Sequence, residues 1–213
     1  MYFIVIDGVD GTGKTSQLGR LNDLLSQRQD VIQTREPGGS PFGEMAREAF
    51  LKDRDTMLSP MAQLSLLMAG RYIHLADVIE PAIAADKIVL CDRYIPATYA
   101  HQIATSFDAG LIHAFEAMQK EIRKPDLTII LDLSFDERIE RLNKRREKEG
   151  SEPLNHLDIA SLDRETAEQL RIGFLDYASY NLNHVVIDAS GTEEEVFNKI
   201  VNALIEHGIY NKD

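Results

Sequence analysis

Apolar residues gather in four runs, Tyr2–Ile6, Lys87–Cys91, Leu127–Leu133 and His184–Ile187, rich in Ile, Val and Leu and without regular alternation with polar residues. Strands read this way when helices cover both faces of a parallel sheet. A weaker run, Val31–Thr34, predicts a fifth strand. Helical spacing fills the intervals, over Thr15–Gln29, Pro41–Leu51, Pro60–Ala85, Ala97–Ile122, Phe135–Glu149, Ala160–Leu182 and Glu193–His207. Pro60 suits a helix start and Pro81 a helix break. Strands alternating with helices predict an α/β domain with right-handed crossovers. No internal repeat or low-complexity linker divides the chain, so a single domain over residues 1–213 is expected.

Composition narrows the function more than the fold. The 213 residues are 44% hydrophobic and 27% charged, and the formal net charge is −12. So acidic a surface repels phosphates, which argues against holding a nucleic-acid duplex or an anionic membrane. A phosphorylated ligand would need positive charge concentrated locally. Cys91 is the only cysteine, so neither an internal disulfide nor a multi-cysteine zinc site is expected. No basic leader opens the chain, and no run approaches the roughly 20 apolar residues of a membrane span. A cytoplasmic location is expected.

Gly8-Val9-Asp10-Gly11-Thr12-Gly13-Lys14-Thr15 fits G-x-x-x-x-G-K-[ST] at every fixed position. A buried-strand pattern precedes it and a helical pattern follows, as a phosphate-binding P-loop requires. The glycines let successive N–H groups turn toward one anion, and the helix adds its positive end. Lys14 would reach the β- and γ-phosphates of ATP, and the Thr15 hydroxyl would ligate Mg²⁺. A P-loop alone does not name the reaction. A GTPase switch should carry N-K-x-D; the nearest strings, Asn143-Lys144-Arg145-Arg146 and Asn211-Lys212-Asp213, do not fit. Further patterns close the predicted strands, where ligands of open α/β sheets gather. They are Arg35-Glu36-Pro37-Gly38-Gly39, Asp92-Arg93-Tyr94, and the series Arg138, Arg141, Arg145 and Arg146 on the helix after the fourth strong element. Glu36 and Asp92 are carboxylates suited to holding Mg²⁺ and its waters. Arg71 lies four residues after Leu67 on one helical face, so an arginine there needs a buried partner or a ligand.

The strings IDGVDGTGKT (Ile6–Thr15), TREPGG (Thr34–Gly39), GRYIHL (Gly70–Leu75), VLCDRY (Val89–Tyr94) and PDLTIILDLS (Pro125–Ser134) resemble those of the thymidylate kinase family, in its order and spacing. The resemblance spans nearly the whole chain. It implies a three-layer P-loop kinase fold, with a five-stranded parallel sheet, helices on both faces and a lid at about residues 143–160. It implies transfer of the ATP γ-phosphoryl group to dTMP, and a homodimer. ATP would be held by Gly8, Asp10, Gly11, Thr12, Gly13, Lys14, Thr15 and Ser16, with Arg141 stacking on the adenine. The acceptor would meet Asp10, Glu36, Pro37, Arg47, Leu67, Arg71, Arg93, Thr98, His101 and Gln102, with Arg93 and Arg47 at its phosphate. Family members with a small residue at the position of Gly11 supply the catalytic cation from the lid, which makes Arg145 and Arg146 the candidates. The catalytic set is then Lys14, Asp92, Arg93, Arg145 and Arg146.

The acceptor-base pocket departs from the family pattern. Leu67 replaces a stacking Phe, a loss of about 1 kcal/mol. His101-Gln102 stands for Tyr-Gln, and Ile103–Phe107 replaces a Gly- and Arg-rich turn. In the lid, Asn155-His156 stands for Asp-Arg. Within the pocket, His101 would read a different base or make the acceptor step pH-sensitive. The residues therefore leave open a related kinase with another nucleotide or nucleoside acceptor, or an inactive nucleotide-binding regulator.

Overall fold

The computed structural model describes residues 1–52, 58–150 and 163–211. Five parallel strands form one sheet: β1 (Phe3–Asp7), β2 (Val31–Arg35), β3 (Ile88–Asp92), β4 (Leu127–Asp132) and β5 (His184–Asp188), in the order β2-β3-β1-β4-β5. The chain order reverses around β1, which places the loop after it at the switch point where ligands of such sheets bind. Asp7, Asp92, Asp132 and Asp188 end their strands, so the carboxyl edge of an otherwise apolar sheet carries the acidic residues.

The helices are α1 (Lys14–Leu25), α2 (Pro41–Leu51), α3 (Pro60–His74), α4 (Glu80–Ala84), α5 (Ile95–Thr98), α6 (Ala109–Lys120), α7 (Phe135–Glu149), α8 (Arg164–Ser179) and α9 (Glu193–Glu206). On one face, Leu18 and Leu21 of α1 and Ile200 and Leu204 of α9 pack on Ile4, Ile6 and Ile129. On the other, Leu64 and Met68 of α3 and Phe115 of α6 pack on Phe3, Val5 and Val89. These two apolar layers make the three-layer architecture that the runs of Ile, Val and Leu predict. No described helix is long and apolar enough to cross a membrane.

Two predicted helices come out differently. The expected break at Pro81 does not occur there. A π-helical turn, Leu75–Ile79, precedes α4, and Pro81 sits in that helix's first turn, where its missing N–H costs little. The predicted helix Ala97–Ile122 divides into α5, a π-helical turn over Tyr99–Ile103, and α6. Asp108 starts α6 afresh by accepting from the N–H groups of Gly110 and Leu111. Of the lid range 143–160, residues up to Glu149 belong to α7, and Gly150 ends that helix in a left-handed conformation. Residues 151–160, with Asn155 and His156, lie outside the described residues.

α8 approaches the Tyr99–Ile103 turn closely because Gly173 has no side chain. A Cβ there would lie 2.8 Å from Ala104 Cβ and 3.0 Å from Ala100 Cα. Helix propensity alone would make Gly173→Ala stabilising by about 1 kcal/mol. The short, rigid neighbours reverse the sign, and a net destabilisation of about 1–3 kcal/mol is expected in urea unfolding.

Candidate active site

α2, α3, α6, α7, α8 and α9 each open at a Ser, Asp or Thr whose side chain caps a first-turn N–H. α1 opens at Gly13 in a left-handed conformation with no side-chain cap. Its first-turn N–H groups therefore stay available to an anion, with the helix dipole behind them. Gly8 (φ 127°) is required by space as well as conformation, since a Cβ would fall 2.4 Å from the Leu131 carbonyl oxygen. Thr12 Oγ1 donates to Val9 O at 2.9 Å, which closes the loop on itself. Lys14, nearly buried, reaches back to Val9 O at 2.9 Å and Asp10 Oδ1 at 3.3 Å. Burial and then Arg93 lower its pKa, opposed by Asp10, Asp92 and Asp7. Thr15 and Ser16 are exposed on the first turn of α1.

Beside this loop lies a cavity of about 510 Å³. The ten residues named for the acceptor all line it: Asp10, Glu36, Pro37, Arg47, Leu67, Arg71, Arg93, Thr98, His101 and Gln102. Asp10 belongs to both regions, and its carboxylate pairs with Arg93 and Lys14. Burial would raise the Asp10 carboxyl, but the Arg93 and Lys14 cations outweigh it and hold the group well below the usual carboxylate range. Arg93 adopts φ 69°, unusual for a branched-chain-free but bulky residue, and its N–H donates to Ile6 O at 3.0 Å. Such backbone strain concentrates where a side chain must be aimed. Arg47 donates to Pro37 O at 3.0 Å from α2.

Arg71 finds the buried partner that its place on an apolar helix demands. Its Nε donates to Glu36 Oε2 at 2.5 Å and its Nη2 to Thr98 Oγ1 at 2.9 Å, and the guanidinium stacks on the Tyr94 ring at 4.9 Å. Burial disfavours that cation and Glu36 more than restores it, so its pKa is raised. The other Glu36 oxygen meets His74 Nδ1 at 2.9 Å. Both oxygens already have protein partners, which favours Glu36 as a holder of Arg71 over its expected role as a Mg²⁺ ligand. Asp92 fits that role better, because its Oδ1 is buried with no hydrogen-bond partner. Among the described residues no group of three or more His, Cys, Asp or Glu could hold a metal. A hydroxyl, one carboxylate, water and phosphate oxygens suit Mg²⁺, which rarely takes an all-protein cage.

α7 runs over the P-loop. At Gly11 (φ 88°) a Cβ would lie 3.2 Å from Arg138 O, 3.3 Å from Arg138 Cβ and 3.3 Å from Leu142 Cγ. Even a Cβ at position 11 would crowd α7. Arg141 donates to Ala189 O at 2.9 Å and Gly191 O at 3.1 Å, beside the loop after β5. Arg145 and Arg146 stand toward the carboxyl end of α7, the first exposed and the second half-buried.

Sequence reasoning gave no role to three residues that the structure singles out. Asp7 is wholly buried and accepts from Gly8 N at 2.8 Å, Tyr94 N at 3.0 Å and Ala97 N at 3.1 Å. Burial pushes its carboxyl up to about 6, with Arg93 and these N–H groups pulling the other way. Arg138 is fully buried; its Nε donates to Asp10 O at 3.0 Å, and its two terminal nitrogens have no hydrogen-bond partner among the described residues. His74 lies one turn beyond Arg71 on the same face, and that spacing was the available signal.

His101 faces the cavity, edge-on to Phe174 at 6.2 Å. The surrounding protein, and next Arg93, push its pKa down to about 4. A pKa lowered in this way favours the neutral ring at neutral pH, and so favours base reading over pH sensitivity for His101. kcat/KM for the acceptor, measured between about pH 6 and 8, should follow the same curve in wild type and His101→Asn, because kcat/KM reports the free enzyme. An inflection near 6.5 that only the wild type shows would place the charge change in the neutral range.

Comparison with known proteins gives one consistent result. A family model described as thymidylate kinase matches residues 6–200. The thymidylate kinase of Syntrophotalea carbinolica is 36% identical over 202 residues, 93% of this chain and 93% of that protein. The thymidylate kinase of Cereibacter sphaeroides is 38% identical over 198 residues, 92% and 90% of the two chains. The crystal structure of thymidylate kinase from Ehrlichia chaffeensis superposes with a TM-score of 0.71 at 27% identity, covering 95% of this chain and 98% of that one.

Proposed function

The chain belongs to the thymidylate kinase family, and from that membership we propose that it transfers the γ-phosphoryl group of ATP to dTMP, giving ADP and dTDP. The observation that carries the reading is the Asp10–Arg93 pair, which joins the P-loop to the wall of the neighbouring cavity. Donor and acceptor phosphates would meet across it. The chemistry asks for positioning and charge stabilisation rather than a covalent intermediate.

In this reading the N–H groups of Gly8 to Ser16 cradle the donor phosphates, and Lys14 bridges the β- and γ-oxygens. Arg93 and Arg47 hold the acceptor phosphate. Arg71, Thr98, Gln102, His101, Pro37 and Leu67 surround the acceptor nucleoside, and Glu36 holds Arg71 in place. Arg141 stacks on the adenine, while Arg145 or Arg146 neutralises charge on the transferring group. Thr15 and Asp92 are the residues that would hold a Mg²⁺ ion, which would supply charge neutralisation on the donor phosphates. A homodimer belongs to the same reading: Phe42, Met45, Met61, Tyr72 and Ile73 leave apolar surface exposed on α2 and α3. A cytoplasmic location suits a reaction that draws on ATP.

An ADP-release assay with dTMP, dUMP, dCMP, dGMP and thymidine as acceptors tests the proposal. dTMP should give the highest kcat/KM; preference for another acceptor would overturn the assignment, and equal ADP release without acceptor would overturn transfer itself. Lys14→Ala should lower kcat/KM by at least about 10²-fold in the same assay while leaving the thermal transition in place.

Arg145→Ala should lower kcat by about 10²-fold or more, with the KM for ATP changed little. The reverse pattern would move the catalytic cation to another residue.

A further inference from the structure

We propose that His74 is a positioning residue for the acceptor site, acting through Glu36 on Arg71. The inference rests on reading the cavity beside the P-loop as the acceptor site. Four polar side chains form one line. Thr34 Oγ1 at the end of β2 lies 2.7 Å from His74 Nε2, His74 Nδ1 lies 2.9 Å from Glu36 Oε1, and Glu36 Oε2 accepts from Arg71 Nε at 2.5 Å. The line ends in the cavity, which Glu36 and Arg71 both wall. His74 itself does not reach it, being completely buried at the end of α3.

A carboxylate so deeply buried must have both oxygens satisfied, or it turns to find another donor. Arg71 satisfies one oxygen. His74 satisfies the other, and its second nitrogen is held in turn by Thr34. The imidazole therefore fixes the rotation of the Glu36 carboxylate, which fixes the plane of the Arg71 guanidinium. Thr98 Oγ1 at Nη2, Met68 Sδ at Nη1 and the Tyr94 ring restrain the same guanidinium, and Glu36 supplies its one charged partner at Nε.

The backbone has been shaped around the pair. Gly39 (φ 78°) lets the loop after β2 close over it, since a Cβ there would sit 2.4 Å from His74 Nε2 and 2.5 Å from Thr34 Oγ1. Immediately after His74 the helix widens into the π-helical turn Leu75–Ile79. Such turns gather at functional sites. A histidine that served packing alone would need neither the two-sided hydrogen bonding nor the glycine that makes room for it.

Steady-state kinetics on the full-length protein test the proposal, using whichever acceptor the wild type turns over best. Failure of the dTMP assignment is thereby separated from failure of this one. His74→Leu, which leaves Glu36 Oε1 without a donor, should raise the acceptor KM by about 10- to 100-fold. kcat should fall much less, and the KM for ATP should stay within about twofold. His74→Asn can return an N–H to the position of Nδ1 and should recover most of the loss. A rise of both KM values together, or no rescue by asparagine, would reduce His74 to a structural role and overturn the proposal. Should His74→Leu fail to fold, Thr34→Val decides: it removes only the hydroxyl at Nε2 and should raise the acceptor KM by about 3- to 10-fold. An unchanged KM in that variant overturns the proposal as well.

Discussion

Asp7 lies wholly buried at the end of β1, and its two oxygens accept the N–H groups of Gly8, Tyr94 and Ala97. Gly8 begins the phosphate loop. Tyr94 and Ala97 follow β3 and lead into the wall of the acceptor cavity. One carboxylate therefore ties the start of the phosphate loop to the segment that walls the neighbouring cavity. Arg93 sits between the two anchors with its backbone in a left-handed conformation. Glycine would adopt that conformation without strain but could not supply the cation. The strain persists because the neighbouring residues are held from both sides.

The same constraint explains how so acidic a chain handles polyphosphate. The net charge of −12 belongs to the surface as a whole, while Lys14, Arg93 and Arg138 converge on one loop. Each of the first two is balanced by a carboxylate, and Asp10 serves both. Incoming phosphate oxygens would compete with Asp10 for these cations. Prearranged cations need not reorganise as charge moves onto the transferring group, which is how such sites contribute most to rate. Arg138 is the exception, because its terminal nitrogens are buried without hydrogen-bond partners among the described residues.

Much of the fold was legible because a buried parallel strand has few alternatives: Ile, Val and Leu runs bounded by loops can hardly be anything else. The expected runs stopped one residue short at Asp7, Arg35, Asp92 and Asp188, because polarity marks the end of an apolar run while hydrogen bonding continues to the edge of the sheet. Helix periodicity carried less information about Ala97–Ile122. A π-helical turn preserves apolar spacing closely enough to hide a change of register, so the break showed only at Asp108. Cavity residues were found through motifs, and the geometry gathered all ten. What no motif showed was the division of labour: Glu36 reads as a metal ligand until His74 and Arg71 are seen to occupy both of its oxygens.

That division of labour bears on the unusual acceptor wall. Leu67 forfeits aromatic stacking at a cost of about 1 kcal/mol. Removing one partner of a buried ion pair such as Arg71–Glu36 costs about 3–5 kcal/mol. The elements holding that pair, Thr34, His74 and Thr98, lie on β2, α3 and α5 and make no use of position 67. The cavity wall at position 67 can therefore change without loosening the Arg71–Glu36 pair, which the proposed function places at the acceptor. Binding weakened by the lost ring would shift the burden of base recognition onto hydrogen bonding, from Arg71 on one side and His101 and Gln102 on the other. A neutral His101, which its lowered pKa favours, would serve there as a donor and an acceptor at once, a versatility that a phenylalanine at position 67 does not replace.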